Sequence, residues 1–337
     1  MLPSLVRAGV AGLMLCALAS PSCAQTPNVK LTVDFSIQGQ QSPFVLAAEG
    51  GYFARAGVNV EVDRGYGSAD AITKVASRAY DMAFADIGAL IQFNGKQAGA
   101  QVISVFQVYE VAPMLILSLK KSNITKPSDL VGKRIASPPG ASSRVMFPLF
   151  AAATGLDPSS VTWIDVTPQL RETLLARGQT DAITTLVTDL AGIQRLGIAE
   201  GDLNVMRFSD FGVAPYGHCI LTTPEFAAKN PDTVKKVVKG IAEALKAAIA
   251  DPSVSIAAIK KREPLIDEKL ERARLELVIK DAIVTDRVRR EGLSAVDPER
   301  MKQTIEMVAK TFNIPAPDPA SVYRPDFLPP RAELQLQ

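Results

Sequence analysis

A rhythm of short strand, small-residue turn and helix runs twice through the first two thirds of the chain, and few folds accommodate it. Val29-Lys30-Leu31-Thr32-Val33-Asp34-Phe35-Ser36 alternates apolar and polar side chains, the pattern of a strand with one buried face. The loop Gln38-Gly39-Gln40-Gln41-Ser42 follows, and Pro43 suits the first turn of a helix reaching Glu49. Gly50-Gly51 ends that helix, and Val58-Asn59-Val60-Glu61-Val62 predicts a second strand. Ser68 is placed to cap a helix to about Ala79, with Ile72, Val75 and Ala79 inward. Met82 to Ala85 reads as a short buried strand, and Asp86 as the cap of the next helix. Such alternation builds mostly parallel sheets covered by helices.

The middle of the chain repeats the pattern. Lys133 to Ser137 and Val161 to Val166 predict strands. Pro138-Pro139-Gly140-Ala141-Ser142-Ser143 leads into a helix to about Ala153, and Thr167-Pro168 opens a helix with Leu170 and Leu174 inward. Asp181 to Thr185 predicts a further strand. Arg78-Ala79-Tyr80-Asp81-Met82-Ala83 and Gly178-Gln179-Thr180-Asp181-Ala182-Ile183 share one device about 100 residues apart: a helix ends, a short turn follows, and Asp opens an apolar strand. The repeat points to two lobes of like construction, although two ordinary helix-to-strand turns would look the same. The last third is helical. Asn230-Pro231-Asp232-Thr233 is a helix start ahead of an apolar face of Val234, Val237, Val238, Ile241, Leu245 and Ile249, stopped by Asp251-Pro252. Helices are expected over about 267–286 and 298–311, followed by a Pro-rich tail that wraps the surface.

Composition removes several classes of function. The 337 residues suit two domains. A net charge of +2, from 37 basic and 35 acidic residues without a basic cluster, argues against a nucleic-acid partner. Arg7, the apolar stretch Ala8 to Ala19, and Ser22-Cys23-Ala24 read as an export signal cut after Ala24, which places the protein in the periplasm. An uncleaved anchor helix or lipidation at Cys23 are the other readings of this segment, against a weak lipobox at Ser20-Pro21-Ser22. Removing residues 1–24 leaves Cys219 as the sole cysteine, hence no internal disulfide. His218 is the sole histidine, so no His/Cys metal cluster and no catalytic dyad of separated segments can be built, and no metal or cofactor is expected.

Ser42-Pro43-Phe44-Val45-Leu46-Ala47-Ala48-Glu49-Gly50-Gly51-Tyr52-Phe53-Ala54-Arg55-Ala56-Gly57-Val58 resembles the signature of the NMT1/THI5-like solute-binding proteins. Ser128-Asp129-Leu130-Val131-Gly132-Lys133-Arg134-Ile135, Arg177-Gly178-Gln179-Thr180-Asp181-Ala182 and Glu225-Phe226-Ala227-Ala228-Lys229-Asn230-Pro231 match in order, so that the resemblance spans about residues 28–250. It implies a two-lobed, type II periplasmic-binding-protein fold: two mixed, mostly parallel α/β sheets with flanking helices and a two-strand hinge. Lobe I would take residues 25–114 and 218–320, lobe II residues 115–217, with a tail over 321–337. The crossings would lie near Pro113 to Leu117 and Cys219 to Leu221. It further implies a monomer that captures a sulfonate, an aromatic carboxylate or a pyrimidine-type vitamin precursor by hinge closure and delivers it to an inner-membrane ABC permease with its ATPase. A sensory subunit that binds the same solute stays open. The enzymatic branch of the family uses a Cys-rich motif and an iron site, for which this chain has neither the motif nor the histidines.

Sheets of this kind bind ligands at the carboxyl ends of their strands, where helices begin. The candidate contacts are therefore Gln38, Gln40 and Ser42 after the first strand, Tyr66 in the turn Gly65-Tyr66-Gly67-Ser68, and Asp86. In lobe II they are Gly140, Ala141, Ser142, Ser143 and Arg144, then Thr185 and Asp189. Gly140 lets the chain approach a ligand and the two serines bring hydroxyls, while Arg144 either pairs with an anion or lies on the solvated face. In pyrimidine-binding relatives a His commonly stands at the place of Ser42, and its absence here weakens that ligand class. Tyr109 and Tyr216 offer aromatic walls near the crossings. His218 reads as a hydrogen-bonded structural residue, and Asp86 equally as a simple helix cap.

Overall fold

A computed structural model describes residues 26–97, 99 and 101–336. The export segment, with Cys16 and Cys23, lies outside the described residues. No helix among the described residues is long and apolar enough to cross a membrane.

Among the described residues, ten strands form two five-stranded sheets of matching design. The first has the order β2-β1-β3-β10-β4, built from β1 (Asn28–Thr32), β2 (Asn59–Asp63), β3 (Met82–Asp86), β4 (Ile103–Gln107) and β10 (His218–Thr222). The second has the order β7-β6-β8-β5-β9, from β5 (Met114–Leu119), β6 (Arg134–Ser137), β7 (Thr162–Asp165), β8 (Ala182–Leu186) and β9 (Leu203–Arg207). In each sheet four strands run in one direction, while β10 or β5 runs antiparallel to both of its neighbours. That antiparallel strand is the one that enters directly after a crossing from the other lobe. β1 alternates exposed and buried residues, whereas β3, β5 and β10 are buried throughout, as central strands covered on both faces must be, and so is the edge strand β4, where Tyr323 bridges to Ser104.

The repeated Asp device is real. The Asp81 carboxylate accepts from Lys30 N at 2.8 Å, and Asp181 accepts from Arg134 N at 2.8 Å. Asp81 N and Asp181 N return bonds to the carbonyls of Lys30 and Arg134, each at 3.0 Å. Each Asp thus stitches its incoming strand to a parallel neighbour at the end where the ladder begins.

Several local expectations shift. Gly67, not Ser68, is the cap of the helix Ser68–Ala76, so Ser68 lies inside the first turn, and Ala79 falls beyond the helix and is exposed. Thr167-Pro168 opens no helix. The helix is Arg171–Ala176, and Leu170 points outward at 52 % exposure while Arg171 and Leu175 turn inward. Asn230 stands at the cap of the helix Pro231–Ala250, but its side chain donates to the Phe226 carbonyl instead of capping. The Pro-rich tail does more than wrap: Tyr323 pairs with Ser104 at the edge of β4, and Phe327 and Leu334 are buried in the first lobe's core.

The chain crosses between lobes at 108–113 and again at 212–217, between strands rather than within them. Gly217 N donates to Tyr109 O at 2.9 Å and Ala112 N to Pro215 O at 3.0 Å, tying the two crossings side by side. One apolar cluster is shared by both lobes, taking Ile72, Ala85 and Ile87 from one and Ile116, Phe147 and Phe150 from the other. The helix Pro298–Phe312 adds Met301, Ile305 and Val308 to that shared cluster. The helix Glu268–Val278 reaches lobe II through polar contacts instead, described below.

Candidate functional site

The carboxyl ends of β1 and β8 face each other across the gap between the lobes, and a narrow cavity lies between them, about 20 Å³ of it open to the centre of a water molecule. Asp34, Phe35, Gln40, Gln41, Gly67 and Ser68 line it from the first lobe. Ala141, Ser142, Ser143, Arg171, Leu186, Thr188 and Asp189 line it from the second. The lobes touch beside it. Ala69 N donates to Gly140 O at 3.2 Å, and Gln169 Nε2 donates to Ser36 Oγ at 3.0 Å. At Gly67, φ is +135° and a Cβ would run into the Gly140 backbone, so this contact requires glycine.

The wall of the first lobe rests on a buried polar cluster. Asp34 follows β1; its carboxylate accepts from Gln41 Nε2 at 2.9 Å and lies 3.0 Å from His218 Nε2. Ser68 Oγ stands 3.4 Å from the same imidazole nitrogen and accepts from Asp86 N at 3.1 Å. Asp86 caps the next helix by accepting from Ala89 N at 2.9 Å. Its other oxygen is unpaired and 4.0 Å from His218 Nδ1. Burial pushes the Asp86 carboxyl up, partly offset by His218. For His218 burial works downward, but Asp34 and Asp86 outweigh it, so the imidazole titrates above its ordinary value. Phe84 and Tyr109 pack on the His218 ring with centroids 5.1 and 5.0 Å away.

The wall of the second lobe is ionic. Arg171 is only 3 % exposed, and its guanidinium is paired with Asp189, which also accepts from the Thr185 hydroxyl. The guanidinium lies 5.4 Å from the Phe35 ring centroid across the cavity. Behind this pair, Arg274 from the helix Glu268–Val278 donates to Asp189 at 3.2 Å and to both Glu172 oxygens at 3.1 and 3.2 Å. The helix carrying Glu172 and the helix carrying Asp189 are thereby locked to one drawn from the C-terminal third. Gly192 has no side chain because a Cβ there would strike Glu172 and Arg274. Burial and the Asp189 charge push Glu172 up to about 8 against the pull of Arg274. Burial also works to raise Asp189, but Arg171 and Arg274 overcome it and hold that carboxyl below its usual range.

Of the residues singled out from sequence, Gln40, Ala141, Ser142, Ser143 and Asp189 line the cavity. Gly140 forms its rim through the contact with Gly67. Asp86 and Thr185 sit one layer behind, supporting Ser68 and Asp189. Six others are drawn elsewhere. Gln38 lies outside the lining, its amide oxygen accepting from Gln40 Nε2 at 3.0 Å. Ser42 turns away to Gly39 O and Ser255 Oγ, at 2.6 and 2.7 Å. Tyr66 is 57 % exposed and stacks on Arg64 rather than on the cavity. Arg144 pairs with Asp165 at 2.6 Å and lies over the Trp163 ring, the solvated-face alternative. Tyr216 accepts from Asp297 N at 2.8 Å beside Arg300, and Tyr109 is fully buried behind His218, so neither is a cavity wall.

Sequence reasoning missed Asp34, Phe35, Arg171 and Thr188. The alternation predicts Asp34 as a polar position of a longer strand, yet the strand ends at Thr32 and Asp34 lies two residues beyond it. The short interval Arg171 to Asp189, one helix and one strand, was the available signal for the ion pair.

Two lobes of like topology, joined by paired crossings and enclosing a polar cavity at their strand ends, define the fold class of the type II periplasmic binding proteins. The sequence profile of the family described as NMT1/THI5 like matches residues 38–255, and the chain belongs to that family. It is 24 % identical over 245 residues to the riboflavin-binding protein RibY of Chloroflexus aurantiacus, covering 69 % of this chain and 68 % of that protein. Among solved structures, a protein of Bordetella bronchiseptica RB50 superposes with a TM-score of 0.74 at 19 % identity, over 89 % of this chain and 95 % of the other. The alkanesulfonate-binding protein SsuA of Xanthomonas axonopodis pv. citri, bound to MOPS, gives 0.66 at 18 % identity, over 88 % and 97 %.

Proposed function

We propose that the protein is the extracytoplasmic solute-binding subunit of an ABC importer, working as a monomer in the periplasm, binding rather than transforming its solute, and delivering it to a permease. The observation that carries this reading is the cavity itself: its walls come from both lobes, between which the described chain crosses twice, so parting the lobes would separate one wall from the other. A ligand that contacts both walls then binds the closed form more tightly than the open one and shifts that equilibrium by the difference. The relatives bind riboflavin or alkanesulfonates by name, and solutes of these classes, aromatic carboxylates and vitamin precursors are the candidates for a cleft that must open to admit them.

The test has two arms. Small-angle scattering of the mature chain is expected to show a smaller radius of gyration at ligand saturation than without ligand; an unchanged radius defeats the hinge mechanism. With the permease and ATPase from the same gene cluster in proteoliposomes, the liganded protein is expected to stimulate ATP hydrolysis. Failure of that stimulation alongside normal closure removes the import assignment and leaves a sensory receptor.

A further inference from the structure

The helix Glu268–Val278 and the turn Ile279–Ile283 that continues it lie between the lobes, and two adjoining stripes of their side chains meet different partners. Leu275, Val278, Ala282 and Ile283 are buried in the apolar core of the first lobe. On the same side Glu271 accepts from Gly39 N, and a Cβ at Gly39 would strike the Glu271 backbone, so the helix is seated closely there. The stripe toward the second lobe is charged. Asp267, Arg274 and Asp281 stand seven residues apart, about two helical turns each. Asp267 pairs with Arg195 at 2.6 Å and Asp281 with Arg207 at 3.2 Å, while Arg274 between them donates to Glu172 and Asp189. Leu277 adds a half-buried apolar contact, and an open gap lined by Ala191, Gln194, Leu270 and Ala273 leaves the rest of this face unsealed.

The two stripes differ in what parting them costs. Apolar surface returned to water is penalised in proportion to its area. Charged groups that separate regain the hydration they gave up on burial, so their contact opens at small net cost. The helix therefore stays with the first lobe when the lobes part, and the charged stripe is the side that lets go. Its far end is fixed at the pivot. Val284 N donates to Ile279 O across a π turn, and Ala282 O accepts from Glu110 N of the first crossing, each at 2.8 Å. Asp189 links the charged stripe to the cavity, being bonded to Arg274 on one side and to the lining Arg171 on the other.

We propose that residues 267–283 form a latch on the cleft: the segment travels with the first lobe, and Arg274, aided by the two outer pairs, grips Glu172 and Asp189 only when the lobes are closed. Arg274 is thus a positioning residue, acting on the solute through Asp189 and Arg171. The latch sets what fraction of the chain is closed before a solute arrives, and apparent affinity scales with that fraction. This rests on the hinged-receptor reading above and adds to it what holds the closed form.

The reporter of closure is the Ala69 amide, which is bonded to Gly140 O across the cleft. Its hydrogen exchange is followed by NMR in the mature, ligand-free chain, with amides of the β10 ladder as the internal control. Arg274→Gln with Glu172→Gln removes the grip while Asp189 keeps Arg171, so no buried charge is stranded. Exchange at Ala69 is expected to quicken at least about tenfold, with the β10 ladder unchanged. Arg195→Glu sets a like charge against Asp267 at the rim and is expected to quicken it about threefold. That variant carries the test if the double variant does not fold. Equal quickening of both sets of amides marks general destabilisation and overturns the latch. Unchanged exchange at Ala69 overturns it too, leaving closure to the apolar cluster shared by the lobes. An Ala69 amide already unprotected in the unaltered chain likewise overturns it; the receptor survives each of these results. Ala69 protected as deeply as the β10 ladder in every form would mean that the lobes never part, and the hinged receptor would fail with the latch.

Discussion

The two walls of the cavity stand on nearly identical sheets, yet their charges are satisfied in opposite ways. In the first lobe Asp34, Asp86 and His218 come from β1, β3 and β10 or the segment directly after, and Ser68 opens the helix that follows β2, so the cluster closes within its own lobe. In the second lobe Arg171 and Asp189 are completed by Arg274, some 85 residues further on in a helix that also contacts the first lobe, where Glu271 of the same helix accepts from Gly39 N at 2.6 Å. A repeated scaffold thus fixes where a wall stands without fixing how its charges are balanced. The first wall is self-contained; the second depends on a helix that bridges the lobes behind the cavity.

Replacing the bridge tests this difference most severely. Arg274→Met is expected to destabilise the protein by about 3–5 kcal/mol, because Asp189 and Glu172 are left buried with one guanidinium between them. Denaturant unfolding measures it, and a loss below about 1 kcal/mol would show that the second wall is as self-contained as the first.

The pH dependence of stability separates the two clusters next. Glu172 is raised from an ordinary 4.5 to about 8, so the stability it contributes is complete below its unfolded value and is lost as pH rises toward 8. His218 is also raised, so its contribution is present below about 6.5 and disappears as pH climbs through the folded-state value. Both clusters therefore weaken in the same direction, and melting temperature is expected to fall by a few degrees between pH 6 and 9. Glu172→Gln should flatten the part due to the second lobe and leave the part due to His218. A profile as steep as that of the unaltered protein would assign the whole slope to the first wall.

The smallest effect concerns the serines. Ser142→Ala with Ser143→Ala is expected to reduce ligand affinity about tenfold, the worth of one or two hydrogen bonds, with no change in melting temperature of the free protein. Calorimetry with whichever solute binds checks it; unchanged affinity would mean that the second wall recognises the solute through Arg171 and Thr188 without the serine loop.

Much of the fold was legible because strands and helices announce themselves over a few residues. The alternation of β1, the apolar run Met82 to Ala85 of β3 and the paired Asp81 and Asp181 turns were all local patterns, and so was the serine loop at 140–143. Half of the cavity was readable in the same way, since ligands gather at strand ends and Gln40, Ser142, Ser143 and Asp189 lie there. Side chains whose direction depends on a helix boundary were not. Moving the start of one helix from Thr167 to Arg171 turned Leu170 out to solvent and Arg171 into the cavity, and the local pattern around 167–171 is compatible with either start.

Local periodicity and turn chemistry thus settled that this chain makes two strand-helix lobes with small and polar residues at their facing ends. Those signals act over one or two turns of chain, where propensity and hydrophobic spacing dominate. Which charges meet was settled by packing. Asp34 finds His218 across 184 residues of sequence and Arg274 finds Glu172 across 102, because burial forces each charge to take the nearest opposite partner that the folded sheets and helices bring within reach.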